Sequence, residues 1–319
     1  MIEANSTPEP ANWERQAIEK LARGALDEQK RARRWGIFFK LLTFGYLIVV
    51  LVIAAGWMGG RDAKRPARHT ALVEVHGVIQ AQGEASADRV NQALKDAFED
   101  EKTVGVVIRI NSPGGSPVQA GQINSEIKRL RALHPKVPLY AVVDDICASG
   151  GYYVAAAADK IFVDQASIVG SIGVLMDGFG FTGTMEKLGV ERRLITAGEN
   201  KGFLDPFSAI NPSHKAYAEQ LLKEIHSQFV QVVRQGRGQR LKESPELFSG
   251  LVWSGRQSIA LGLADSMGSL DSVARDVIKA EHVVDFTSRE NFAERVARRF
   301  GAVVSQALLQ SLNGGPAVR

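Results

Sequence analysis

The 319-residue sequence holds a single cysteine, Cys147. That excludes an intramolecular disulfide framework and leaves no Cys-based zinc site. Its six histidines, His69, His76, His134, His214, His226 and His282, are dispersed with no H-E-x-x-H or comparable spacing, which disfavours a metal enzyme. Net charge is only +4. No basic stripe with interleaved aromatics occurs, so nucleic acid is not an expected partner. No self-similarity at a solenoid period is visible either.

Apolar residues, by contrast, make up 45% of the chain, and 31 glycines accompany them, a composition for a globular core with many turns. From Leu41 to Met58, 18 consecutive residues carry no charge. With Ile37 to Phe39 added, and Lys40 snorkelling toward headgroups, the run can cross a hydrocarbon core of ~30 Å. Trp35 and Trp57 bracket it where interfacial aromatics belong. A cleaved signal peptide is the competing reading, but 34 preceding residues exceed an n-region and no clear A-x-A site follows. Lys30, Arg31, Arg33, Arg34 and Lys40 slightly outnumber Arg61, Lys64, Arg65 and Arg68 on the far side. That bias keeps the N-terminus in the cytoplasm and puts the large domain outside a bacterial inner membrane. Scarce cysteine is compatible with such an envelope protein.

The expected organisation is a cytoplasmic segment (1–36) with a short solvated helix, an anchor (37–58), a basic linker (59–69), a folded domain (70–286) and an Arg-rich amphipathic tail (287–319, its helical pattern over 289–312). Within the domain, "TALVEVHGVI" alternates like a strand, and "TVGVVIRI" (103–110) is the near-continuous β-branched run of a buried parallel strand. "PVQAGQINSEIKRLRAL" (117–133) has helical periodicity, "VPLYAVVDD" returns to strand, and a serine-led helix, "KIFVD" and "SIGVLM" follow. Residues 211–238 read as a long amphipathic helix with Asn-Pro at its start and glycine at its end. "SGRQSIALGLAD" and "SLDSVARDVIKAE" read as two more. This alternation is an α/β domain with parallel pairing and right-handed crossovers.

"DDICASGGYYVAAAADKI" (144–161) puts Ser149 at a strand-to-helix turn and strips the side chains from the next two positions. Two readings stand: a helix N-cap, or a nucleophile lifted on a turn beside bare N–H groups. "RINSPGGSP" (109–117) has the same duality, a tight turn or a set of N–H groups presented at a strand's C-terminal end. Together the two turns outline an acyl-transfer site. "CASGG" is not the G-x-S-x-G elbow, and no histidine pairs with a carboxylate at a strand end. A base could still be a lysine, whose ordinary pKa of ~10.4 must fall through desolvation or nearby positive charge. Lys201, in "TAGENKGFLDPFS", is one candidate, and an ordinary solvated loop lysine is the other reading.

Taken in order, "INSPGGSP", "DDICASGGYYVAAAADKIF", "IVGSIGV", "AGENKGFLDPF" and "VWSGRQSIALGLADSMGSLD" closely resemble the signal peptide peptidase A (protease IV) family over about residues 70–285. These are membrane-anchored serine–lysine peptidases. The resemblance implies a Clp protease/crotonase-like β-α superhelix behind one transmembrane helix. It further implies Ser149 as nucleophile, Lys201 as general base, and Ser171 of "GSIGV" as the hydroxyl that orients the lysine. The oxyanion donors it implies are the backbone N–H of Gly150 or of Ser149 itself, plus one from the Gly114-Gly115 turn, Gly115 in preference. No cofactor or metal is implied. The implied partners are signal peptides and other short hydrophobic peptides, the lipid bilayer, and further copies of the chain in a ring or dome. The chain has the length of short members without tandem duplication. A crotonase-like acyl-thioester enzyme and a non-catalytic membrane scaffold of the same fold are the rival expectations.

Overall fold

The computed structural model describes residues 12–59 and 68–288. The chain divides into two compact units, the first ending at Arg65 and the second starting at Pro66. In the first, α1 (Asn12–Gly59) is one continuous helix of 48 residues. The expected short solvated helix and the apolar run are therefore a single element. By length and composition it is the one helix among the described residues able to cross a membrane. The expected helical pattern over 289–312 lies outside the described residues.

The second unit is built on a sheet whose strands read as the apolar runs require. β1 (His69–His76), β2 (Thr103–Ser112) and β3 (Leu139–Ala148) are parallel neighbours. β2 has no exposed residue, as a strand covered on both faces must be. His69, assigned to the linker from sequence, is instead fully buried at the start of β1. Beyond β3 the sheet forks. Tyr140–Val142 pair with β4 (Lys160–Val163), while Ile146–Ala148 pair with β5 (Ile168–Gly170). β6 (Val252–Ser254) adds antiparallel to β5, β7 (Ser266–Met267) joins β4, and β8 (Val283–Asp285) lies along β1. All pairings but β5–β6 are parallel.

Helices α2 (Ala87–Glu99) and α3 (Pro117–Leu133) cover one face. α2 buries Val90, Leu94, Ala97 and Phe98, a helical stripe that adds one element to the expected order. α3 starts with Ser116 as N-cap and proline at N1, and buries Ile123, Ile127 and Leu130. α4 (Gly150–Ala155) is only six residues long and is anchored by fully buried Tyr152, whose hydroxyl donates to Leu263 O at 2.8 Å. Next come α5 (Thr182–Lys187), α6 (Pro212–Arg237) and α7 (Gly255–Ala260). α6 begins with the Asn211 side chain accepting from Ser213 N and stops at Gly238, in the left-handed region at φ +53°. "SGRQSIALGLAD" is thus a shorter helix than its pattern suggested. "SLDSVARDVIKAE" is helical as read, a short α-helical turn, Leu270–Ser272, running into a π-helix, Val273–Ile278.

Two features of the chain depart from local pattern. Residues 171–181, with "SIGVLM", have no regular structure, because the strand β5 ends one residue earlier at Gly170. Arg237, at the end of α6, is buried in the sheet-side core. It donates to both oxygens of Asp265 at 2.9 Å and, through Nε, to Gly262 O at 2.8 Å. Burial raises the Asp265 pKa, but the Arg237 hydrogen bonds, the Ile161 N–H and the nearby arginine charges outweigh it, leaving that pKa below the usual carboxylate range.

Candidate active site

The C-terminal ends of β2 and β3 lead into two glycine turns that meet. After β2, Gly114 and Gly115 take φ of +104° and +146°. A Cβ on Gly114 would lie 2.7 Å from Gly150 N and from Ser149 Cβ, and one on Gly115 only 2.2 Å from Ile79 O. No side chain fits either place, which is why "PGG" is spelled that way. Ile79 N donates to Gly114 O and Ser116 N to Ile79 O, both at 2.8 Å, so the turn is clamped to the chain after β1.

After β3, Ser149 sits at φ +51°, ψ −122°. That is a strained conformation for a residue with a Cβ, held only where the surroundings over-determine it. Its N–H donates to Gly170 O at 2.8 Å, and its carbonyl accepts from Tyr153 N at 2.9 Å. The side chain caps nothing. Ser149 is thus the N-cap of α4 by position, but its hydroxyl makes no capping bond, and its amide is committed to the backbone of β5. The Oγ has no hydrogen-bond partner among the described residues. Neighbouring Cys147 is fully buried, and burial pushes its thiol pKa far up, so no thiolate competes as nucleophile.

The amides sort themselves by what they already hold. Gly114 N–H is taken by the Ser112 hydroxyl at 3.1 Å. No acceptor holds Gly115 N–H or Gly150 N–H among the described residues, and a Cβ on Gly150 would lie 3.3 Å from Gly115 N. Two amides without an acceptor among the described residues thus line the cleft that holds Ser149, donors of the kind an oxyanion needs. Ser112, fully buried, was not singled out from sequence. Its signal was present, a serine two residues before a turn glycine.

Ser149, Gly150 and Gly115 line a cleft with Ser171. Its walls are largely apolar: Tyr153, Val174, Leu175, Ile225 and Phe229, the last two from α6. Tyr153 and Phe229 rings lie 5.0 Å apart, and the Asn124 side chain donates to Tyr153 O at 2.7 Å. Ser171, like Ser149, has a positive φ, +51°. No cluster of potential metal ligands occurs among the described residues.

Lys201 is not among the residues lining this cleft. It is exposed, in a turn tied to the first turns of α6. Neighbouring Asn200 bonds His214 at 3.0 Å, and the Phe203 ring contacts His214 and Tyr217 at 5.3 and 5.9 Å. The cleft lies against Ile225 and Phe229 of the same helix. At ~1.5 Å rise per residue, His214 stands roughly 17–22 Å along α6 from those positions, so the Lys201 turn meets this helix near its start and the cleft meets it near its middle. Within one chain the structure brings Ser149, Ser171, Gly115 and Gly150 together and leaves Lys201 apart.

Comparison with known proteins comes to the same region. The model of peptidase family S49 matches residues 131–284, a stretch that contains Ser149, Ser171 and Lys201. A Brucella melitensis protein named Na(+)/H(+) antiporter NhaA is 42% identical over 209 residues, 64% of this chain and 28% of its own. An Enterococcus faecium protein carrying the name signal peptide peptidase SppA, with a provisional prefix, is 30% identical over 223 residues, 67% of this chain and 64% of its own. A protein of Synechocystis sp. named among the proteases, with the same prefix, is 33% identical over 199 residues, 62% of this chain and 69% of its own. The chain thus spans just over a quarter of the antiporter-named relative and just under two thirds of the Enterococcus one.

Proposed function

The chain belongs to peptidase family S49, and from that premise we propose that it is a membrane-anchored serine endopeptidase for short hydrophobic peptides, cleaved signal peptides among them. The observation that carries the reading is Ser149. It is a hydroxyl on strained backbone, making no capping bond, beside two amides, Gly115 and Gly150, that hold no other acceptor among the described residues. An acyl-thioester enzyme of this fold would need a carboxylate where Ser149 stands, and a scaffold would have no use for the strain.

In this reading a neutral Lys201 takes the proton of Ser149 Oγ as the oxygen attacks the scissile carbonyl. The oxyanion is received by Gly115 and Gly150 N–H, whereas Gly114 and Ser149 N–H are otherwise engaged. The lysine then returns the proton to the leaving amine, and water hydrolyses the acyl-enzyme. α4 is too short for its dipole to add much, so the two amides carry the stabilisation. Ser171 hydrogen-bonds the lysine and orients it.

Lys201 does not line the cleft of its own chain, and in this reading the base is supplied by a neighbouring copy in a ring or dome. The segment that carries it supports this. It exposes Phe179 at 80% and Ile195 at 96%, apolar surface suited to burial against a second copy. Burial there also gives a lysine the desolvation that a general base requires. α1 anchors each copy, N-terminus in the cytoplasm and the peptidase unit on the outer side, so that peptides leaving the bilayer reach the ring's mouth.

Co-expression of Ser149→Ala with Lys201→Ala tests this. Each alone is expected to be inactive on a synthetic signal peptide, and mixed assemblies are expected to regain part of the activity. Mixed assemblies that form and stay inactive would place the base in the same chain. Substantial hydrolysis by purified Ser149→Ala, or failure of a fluorophosphonate to label Ser149, would end the peptidase reading.

A further inference from the structure

Ser171 keeps its left-handed conformation through bonds on every side. Three are between main-chain groups: Ser171 N to Leu251 O at 2.7 Å, Gly173 N to Ser171 O at 2.9 Å, and Ser149 N to Gly170 O at 2.8 Å. The fourth comes from a side chain. His226 Nε2 lies 3.1 Å from Ile172 O, the carbonyl between two residues of the cleft wall, Ser171 and Gly173. A carbonyl oxygen only accepts, so Nε2 carries the hydrogen and the imidazole donates. The Ile172 side chain is itself fully buried, which fixes this peptide from the other side. His226 belongs to the α6 turn that supplies Ile225 and Phe229 to the cleft.

We propose that His226 is a positioning residue: through Ile172 O it holds the Ser171 turn so that the Ser171 hydroxyl faces the Ser149 cleft at the height where a lysine base must be oriented. The inference rests on the peptidase reading and on the orienting role of Ser171 within it. Ser171 is the first residue past β5, bonded to the β6 side only through its amide, and residues 171–181 are without regular structure. The tether from α6 is the one side-chain bond to this turn among the described residues, and its removal lets the turn relax toward an ordinary φ.

The test compares wild type with His226→Ala, His226→Phe, His226→Gln, Ser171→Ala and the His226→Ala/Ser171→Ala double variant. Steady-state hydrolysis of an apolar signal-peptide substrate gives kcat and KM, and thermal melts report folding. His226→Ala and His226→Phe are expected to lower kcat about tenfold with KM within about twofold, the scale of one hydrogen bond. His226→Phe keeps a ring in the packing and removes only the donor. His226→Gln, whose amide N–H can reach Ile172 O, is expected to recover most of kcat. The double variant is expected to match Ser171→Ala, because the tether acts only through that hydroxyl. Wild-type kcat in His226→Phe, no recovery in His226→Gln, or losses that multiply in the double variant would each overturn the inference alone. Wild-type kcat in Ser171→Ala would overturn it together with the role of Ser171. An active Ser149→Ala would instead bring down the peptidase reading beneath both.

Discussion

Replacing Gly115 by alanine separates the oxyanion assignment from mere turn geometry. The added Cβ would lie 2.2 Å from Ile79 O, against a practical floor of 3.0 Å, so the backbone must yield by at least about 0.8 Å. The yielding breaks or stretches the two 2.8 Å bonds that clamp the turn, Ile79 N to Gly114 O and Ser116 N to Ile79 O. Two such bonds contribute about 1 kcal/mol each, and an alanine in this φ region adds about 1–3 kcal/mol of strain. The expected loss of stability is therefore about 3–5 kcal/mol, readable as a lowered denaturant midpoint. The same shift carries Gly115 N–H away from the oxyanion position, and losing one such donor lowers kcat by about 10²–10³. Gly121→Ala is the control: its Cβ meets nothing nearer than the Tyr153 hydroxyl at 4.0 Å, and in α3 it should be neutral or stabilising with full activity. If Gly115→Ala unfolds, Gly150→Ala takes its place. There the nearest atom, Gly115 N, stands at 3.3 Å, so folding should survive while the added methyl crowds the two donors. A folded Gly115→Ala or Gly150→Ala with wild-type kcat would refute the placement of the oxyanion on these amides.

Three further outcomes follow from the core. Arg237→Ala strands a carboxylate that keeps only Ile161 N–H and a 3.3 Å contact to Arg240, and should destabilise by about 3–5 kcal/mol in chemical denaturation. Asp265 has a lowered pKa in the folded state, so its contribution is present above the ordinary aspartate value of ~3.9 and is lost as pH falls through the folded value; Asp265→Asn should flatten that acid limb of stability. Cys147 should resist iodoacetamide in the native protein and react stoichiometrically once unfolded, and rapid native labelling would contradict its burial and raised thiol pKa.

Much of this molecule is legible in its sequence, and the reasons are local. A strand buried on both faces has to read as β2 does, and helices as well capped as α3 and α6 announce their ends through Ser116-Pro117, Asn211-Pro212 and Gly238. The paired glycines at 114–115 marked where backbones approach too closely for a side chain, and those at 150–151 stand in tighter company than most side chains meet. α2 is equally legible from Val90, Leu94 and Ala97. "SIGVLM" misled because its apolar run resembles a strand, whereas the sheet had already closed at Gly170 against β6.

What periodicity and motif order could establish was the α/β class, the apolar helix and the pair of glycine turns, since each depends on neighbours within a few residues. Tertiary structure alone decided which amides remain free, that the Ser149 N–H is spent on Gly170, that Ser112 occupies Gly114, and that His226 reaches Ile172. It alone set Lys201 near the start of α6 and the cleft near the middle, a separation no spacing of 52 residues reveals. Those facts are distances between segments far apart in the chain, and they exist only once the sheet has closed and the rigid rise of one long helix has measured them out.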